Sequence, residues 1–238
     1  MQYARSLIFT VVIYGAMVVY GLVFFIPALI HKNWAFYACH AWCRLVRWCA
    51  RWMVGVETEV RGTPPEDEVL IAAKHQSFLD IILIYGSTPR AKFIMKRELM
   101  YAPIIGQYAL RIGCIPVDRG KRGAAIEKMK QDVAKGTADP GQLVIYPQGT
   151  RVAPGDKKSY KVGSGILYEQ LGQPCVPVAT NAGVVWPRRG VIKYPGKAVV
   201  EFLDPIPPGL PVAEFMQRLE TRVEAASDAL IAEARETG

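Results

Sequence analysis

The chain has 238 residues, with 29 Lys and Arg against 21 Asp and Glu, a net charge of +8 and 51% hydrophobic residues. A chain this long and this apolar excludes a disordered segment and a disulfide-stapled miniature, because it can bury a core of its own. The charge is uneven: residues 213–238 hold 3 Arg against 6 acids, which leaves residues 1–212 at +11. A body that is both basic and apolar points first to anionic lipid or phosphorylated ligands, and no nucleic-acid partner is expected. The five cysteines, Cys39, Cys43, Cys49, Cys114 and Cys175, form no C-x-x-C pair and no zinc spacing. They are expected as free thiols in a reducing compartment, with no metal implied.

Residues 7–30 are 24 consecutive residues without a charge, and a helix of about 20 spans a bilayer core. The stretch exceeds the usual apolar region of a signal peptide and no small-x-small cleavage site follows it. Arg5 alone precedes it, whereas Lys32, Arg44, Arg47 and Arg51 follow, so the rest of the chain is expected on the cytoplasmic face. Residues 33–54 then place Arg44, Arg47 and Arg51 within about 60° of one another on a helix, with Trp42, Trp48, Trp52, Leu45, Val46 and Met53 around the remainder. That is the pattern of an interfacial helix, with an ordinary amphipathic core helix as the alternative. Residues 1–55 are therefore read as membrane-associated helices. Whether the first crosses the bilayer or pairs with the second in one leaflet stays open.

A compact domain is expected over residues 56–238. Val56, Thr58 and Val60 alternate as in a strand, a turn cluster follows at 62–65, and residues 69–73 read as a buried strand. Further β-rich runs fall at 113–117, 142–146, 175–180 and 198–203, separated by helical stretches at 77–85, 103–110, 124–134 and 165–171. This alternation predicts an α/β fold with a largely parallel central sheet flanked by helices. Residues 213–236 read as an amphipathic terminal helix, packed on one side and carrying solvated charge on the other.

Of three histidines, His31 and His40 lie in or beside the membrane segment, which leaves His75 as the imidazole base of the soluble domain. Asp80 follows five residues later, and on one continuous helix the two side chains would diverge by about 140°. They meet only if His75 sits at the strand end and Asp80 in the first helical turn. Ser77 to Asp80 has the S-x-x-[DE] form of a capping box, which puts Ser77 at the N-cap and starts the helix at Phe78. Asp80 then has two readings: a capping acid with no further role, or a carboxylate that holds one imidazole nitrogen and leaves the other free to accept a hydroxyl proton. No G-x-S-x-G elbow is present, so a covalent acyl-enzyme is not supported. Phosphate-binding character gathers in two loops. Tyr146-Pro147-Gln148-Gly149-Thr150-Arg151 follows an apolar strand, where Gly149 admits an anion to backbone amides and Arg151 can grip it with two prongs. Arg119-Gly120-Lys121-Arg122-Gly123 precedes a helix start. A solvated loop is the alternative for each.

Four ordered blocks resemble the glycerolipid acyltransferases, most closely the 1-acyl-sn-glycerol-3-phosphate acyltransferases. His75 to Asp80 is similar to the family's H-x4-D. Lys96, Glu98, Leu99, Pro103 and Gly106, continuing to Arg119, are similar to its K-x-E-L-x3-P-x2-G block and trailing arginine. Tyr146 to Arg151 matches [FY]-P-E-G-T-R except at Gln148, and Val176-Pro177-Val178 is the short fourth block. Together the blocks cover about residues 70–180. The resemblance implies an acyltransferase that uses acyl-CoA or acyl-carrier protein as co-substrate, with no other cofactor. The acceptor implied is lysophosphatidic acid at its free hydroxyl, giving phosphatidic acid in phospholipid synthesis. It assigns His75 as base, Asp80 as its orienting partner, and Lys96, Arg119 and Arg151 as phosphate or acceptor contacts; Glu98, Gln148, Gly149 and Thr150 enter the substrate-binding set as members of the blocks. Gln148 is neutral where the family usually carries Glu, so it can hydrogen-bond an acceptor but cannot serve as a base or hold a cation. Another lysophospholipid or lyso-aminolipid acceptor, or a non-catalytic lipid-binding relative, is the alternative.

Overall fold

The computed structural model describes residues 1–117, 127 and 140–236. The helix expected over 124–134 and the loop carrying Arg119 lie outside the described residues. Seven strands are described: β1 (Val56–Arg61), β2 (Leu70–Ala73), β3 (Lys92–Lys96), β4 (Ile115–Val117), β5 (Leu143–Ile145), β6 (Cys175–Thr180) and β7 (Gly196–Phe202). They form one sheet in the order β1-β7-β6-β2-β5-β3-β4. The expected parallel core is present, with β2 between β5 and β6 and all three parallel. At one edge β7 runs antiparallel to β6 and β1 runs parallel to β7, so this pair begins where β2 and β6 end. The sequence had not separated β3, whose residues Lys92 and Lys96 bracket only three apolar positions and blur the strand pattern.

Side chains of β2 alternate between two cores, as a pleated strand requires. Ile71 and Ala73 face a layer that includes Phe9, Val46 and Leu83, whereas Leu70 and Ala72 face Leu167, Phe215 and Val223. The first layer is built by α1 (Gln2–Val23), α2 (Phe25–Ile30), α3 (Asn33–Cys49), α4 (Phe78–Ser87) and α5 (Ile105–Arg111); the second by α6 (Gly163–Leu171) and the terminal α8 (Val212–Glu236). A one-turn helix, α7 (Ala182–Val185), starts the return from β6 to β7.

Helix α1 is long and apolar enough to cross a membrane, with a mean hydropathy of 2.2, yet it is docked on the domain along its length. Gln2 Nε2 donates to the carbonyls of Val54 and Lys193, Arg5 Nε donates to that of Met53, Phe9 packs edge-on against Trp186, and Tyr108 Oη donates to the Gly21 carbonyl. Gly21 is required there, since a Cβ would lie 2.5 Å from the branched side chain of Ile104. The outward face keeps Ile8, Val11, Val19, Leu22 and Val23 exposed.

Residues 33–54 fold as an amphipathic helix with one packed face. Helix α3 buries Phe36, Cys43, Val46 and Cys49, while Trp34, Trp48 and Trp52 stay exposed. Trp42 is the packed one, donating from Nε1 to the Ile13 carbonyl over 2.9 Å.

Candidate active site

β2 ends at Ala73 in the centre of the sheet, and the chain turns sharply into α4. Ser77 is the N-cap: its hydroxyl accepts from the Leu79 amide, and the Asp80 carboxylate reaches back to the N-cap amide, completing the capping box. Asp80, wholly buried, does more than cap. Its Oδ2 accepts from the amides of Gln76 and Ser77 at 2.8 and 2.7 Å, and its Oδ1 lies 2.9 Å from His75 Nδ1. The two readings of Asp80 are therefore one arrangement, because the cap geometry delivers the second oxygen to the imidazole. With the carboxylate at Nδ1, the proton sits on that nitrogen and Nε2 is left as an acceptor. Nε2 makes no hydrogen bond to the described residues.

The turn is braced from outside. Ser77 Oγ donates to the Trp186 carbonyl, Gln76 Oε1 accepts from the Gly183 amide, and the imidazole stacks on Tyr146 with ring centroids 4.0 Å apart. Burial and the neighbouring Asp80 charge hold the Tyr146 phenol well above its usual pKa, so it is a neutral wall and no base.

The loop after β5 passes directly beside His75, whose carbonyl accepts from the Val152 amide at 2.8 Å. This bond holds the backbone that carries Arg151 against the His75 turn. Gly149 has a φ of +68°, which favours glycine, and its missing side chain leaves room for Lys161, whose Nζ would lie 2.9 Å from a Cβ there. Arg188 donates to the Arg151 carbonyl. Lys157, Lys158 and Lys161 of this loop are exposed, and the Arg151 guanidinium makes no ion pair with the described residues. Thr150 is half-buried.

Gln148 is 1% exposed and points into the loop, its Nε2 donating to the Lys158 carbonyl at 3.1 Å while its buried Oε1 finds no partner among the described residues. An ionised carboxylate could not make that donation. Glu98 stands exposed on the 3-10 turn Arg97–Tyr101, with no contact to His75. Lys96 closes β3, its backbone in register with Val117, and Arg119 lies outside the described residues. Gly106 is structural: a Cβ there would meet the Met100 carbonyl at 2.1 Å.

Sequence reasoning missed a buried network under the site. Lys74, 3% exposed, donates to both oxygens of Glu224 on α8 at 2.6 and 2.7 Å, and Tyr160 donates to the same carboxylate. The expectation that the charges of α8 are merely solvated is corrected at Glu224. The signal was faint: Lys74 ends an otherwise apolar run, and nothing local says that its partner is 150 residues away. No group of three His, Cys, Asp or Glu among the described residues is placed to hold a metal ion.

An imidazole held by a buried carboxylate at a strand end, with one ring nitrogen open, is chemically able to take a proton from a hydroxyl brought to it. The chain belongs to the Acyltransferase family, whose model matches residues 56–181. It is 31% identical over 199 residues to the 1-acyl-sn-glycerol-3-phosphate acyltransferase of Pseudomonas aeruginosa, covering 82% of this chain and 77% of that protein. The mouse 1-acyl-sn-glycerol-3-phosphate acyltransferase alpha is 28% identical over 68% of this chain and 59% of its own length. The fold is that of the crystal structure of the 1-acyl-sn-glycerophosphate acyltransferase of Thermotoga maritima, with a TM-score of 0.80 over 97% of this chain and 98% of that one at 22% identity.

Proposed function

We propose that this protein acylates the free hydroxyl of a 1-acylglycerol-3-phosphate, forming phosphatidic acid, with its catalytic domain on the cytoplasmic face of a membrane. The observation that supports the reading is the Asp80-held imidazole of His75, with the loop that carries Arg151 tied to the His75 backbone through Val152. The acceptor hydroxyl gives its proton to His75 Nε2 as its oxygen attacks the thioester carbonyl. Collapse of the tetrahedral intermediate expels the thiolate, which takes the proton from the imidazolium. Base catalysis of this kind is worth about 10² to 10⁴ in rate, and holding the two substrates together adds to it. Arg151, with Lys96 and Arg119 as the family motif assigns them, grips the acceptor phosphate; the thioester comes from acyl-CoA or acyl-carrier protein. The docked α1, apolar on its outer side, supports attachment within the leaflet that already holds the acceptor.

The test is transfer from oleoyl-CoA and from oleoyl-acyl-carrier protein to a panel of lysolipids in mixed micelles. The proposal expects lysophosphatidate to exceed lysophosphatidylcholine and lysophosphatidylethanolamine at least tenfold in kcat/KM. A preference for either of those two overturns it.

A further inference from the structure

Away from His75, the C-terminal end of α3 and the start of β1 enclose a shallow cavity of about 340 Å³ lined by Arg44, Arg47, Arg51, Glu57 and Thr58. Three guanidiniums face a single carboxylate. Glu57 lies 3.7 Å from Arg51, both well exposed, while Arg47 Nε donates to Thr58 Oγ1 at 2.9 Å and Arg44 lies over the Tyr37 ring. Neither Arg44 nor Arg47 has an acidic partner among the described residues. The cavity is flanked by Trp48 and Trp52, 61% and 65% exposed, with Arg51 lying 5.7 Å from the Trp52 ring. Bare indoles beside guanidiniums fit the headgroup level of a bilayer, where a ring has both an apolar and a wet neighbour.

Sheet topology gives the position meaning. Because β1 and β7 run against β6 and β2, the start of β1 lies at the sheet end where β2 delivers His75. β1 is three strand positions from β2, so the cavity sits about 14 Å to the side of the catalytic strand at the usual strand spacing. It lies toward the same end of the sheet.

We infer that Arg44, Arg47 and Arg51 form a phosphate site for the headgroup of an anionic bilayer lipid, separate from the acceptor site, which presents the His75 end of the sheet to the membrane. The inference rests on the membrane reading above. Charge complementarity decides the ligand: the cavity carries a surplus of two positive charges, bidentate donors that suit phosphate oxygens, and flanking rings that suit lipid.

The test is partition of the full-length protein onto vesicles of phosphatidylcholine alone and of phosphatidylcholine with phosphatidylglycerol. The triple variant Arg44→Gln, Arg47→Gln, Arg51→Gln is expected to lose about fivefold per arginine, of order 100-fold in all, on the anionic vesicles and little on the neutral ones. Arg218→Gln with Arg235→Gln on α8 removes charge from the opposite layer and is expected to change binding less than twofold. Glu57→Gln, which leaves all three arginines in place, is expected to tighten anionic binding, and so tests the site even if the triple variant fails to fold. Inorganic phosphate and coenzyme A are the competitors: neither should displace the protein from anionic vesicles at constant ionic strength. An unchanged affinity in Glu57→Gln or in a folded triple variant overturns the site. So does selective displacement by coenzyme A, which would give the cavity to the donor, or by inorganic phosphate, which would make it a free-anion site. Wild type that binds no vesicle of either kind defeats the membrane reading itself, a result distinguishable from the others.

Discussion

The two segments that meet at His75 are built on opposite plans. The turn from β2 into α4 is closed: Asp80 spends both oxygens on three partners, Ser77 is bonded on two sides, and Lys74 below is locked to Glu224, which also accepts from Tyr160. The loop from Tyr146 to Lys161 is closed by its backbone and by the side chains of Gln148 and Tyr160, and leaves Lys157, Lys158 and Lys161 exposed. The difference teaches a division of labour. Proton transfer needs one imidazole tautomer in one orientation, which buried hydrogen bonds supply; recognition of a charged ligand needs cations whose partners are not already taken. Variants in the turn should therefore lower kcat or stability, and variants in the loop should raise KM for the acceptor.

The largest effect should come from His75→Ala, a loss of at least about 100-fold in kcat per folded molecule, with a lowered melting temperature because Asp80 Oδ1 loses its partner. Residual turnover above a tenth of wild type would remove His75 from the base role. Glu224→Leu should cost about 3 to 5 kcal/mol of stability, because it strands the buried Lys74 ammonium; denaturant unfolding measures this, and a loss below about 1 kcal/mol would show that the pair is solvated. Asp80→Asn should lower kcat at least tenfold and also lower the melting temperature, as the amide offers a donor where Nδ1–H needs an acceptor. A melting shift with unchanged turnover per folded molecule would leave Asp80 a cap alone.

On the loop side, Arg151→Lys should raise KM for lysophosphatidate about tenfold and leave that for the acyl donor alone, because an ammonium cannot reproduce a two-pronged contact. Equal effects on both substrates break the assignment. The smallest effect belongs to Gln148→Glu, expected to cost about 1 kcal/mol, since a carboxylate cannot donate to the Lys158 carbonyl. Unaltered unfolding would show that this bond contributes nothing.

How much of this was legible in the sequence follows the range of the interactions. The capping box at Ser77, the helix start at Phe78 and the proximity of His75 to Asp80 are set by residues within six positions, and the S-x-x-D pattern gave them before any coordinates. The α/β alternation was legible for the same reason, as each element carries its own period. What escaped was settled by partners far away in the chain: β3, whose short apolar run is strand only because β5 and β4 flank it; the reversal of β7; the stacking of Tyr146 on His75; and the Lys74 to Glu224 pair. Gln148 was visible as a departure, but its donation to Lys158 depends on how the loop folds back.

Steady-state kinetics of His75→Ala and Arg151→Ala on lysophosphatidate, measured side by side with dispersed substrate, test the central claim most directly. The account predicts that His75→Ala loses kcat by 100-fold or more with KM for the acceptor within about threefold of wild type, while Arg151→Ala raises that KM tenfold or more and keeps most of kcat. If both variants lower kcat alike, or if His75→Ala acts mainly on KM, base and anion grip are not divided between the turn and the loop.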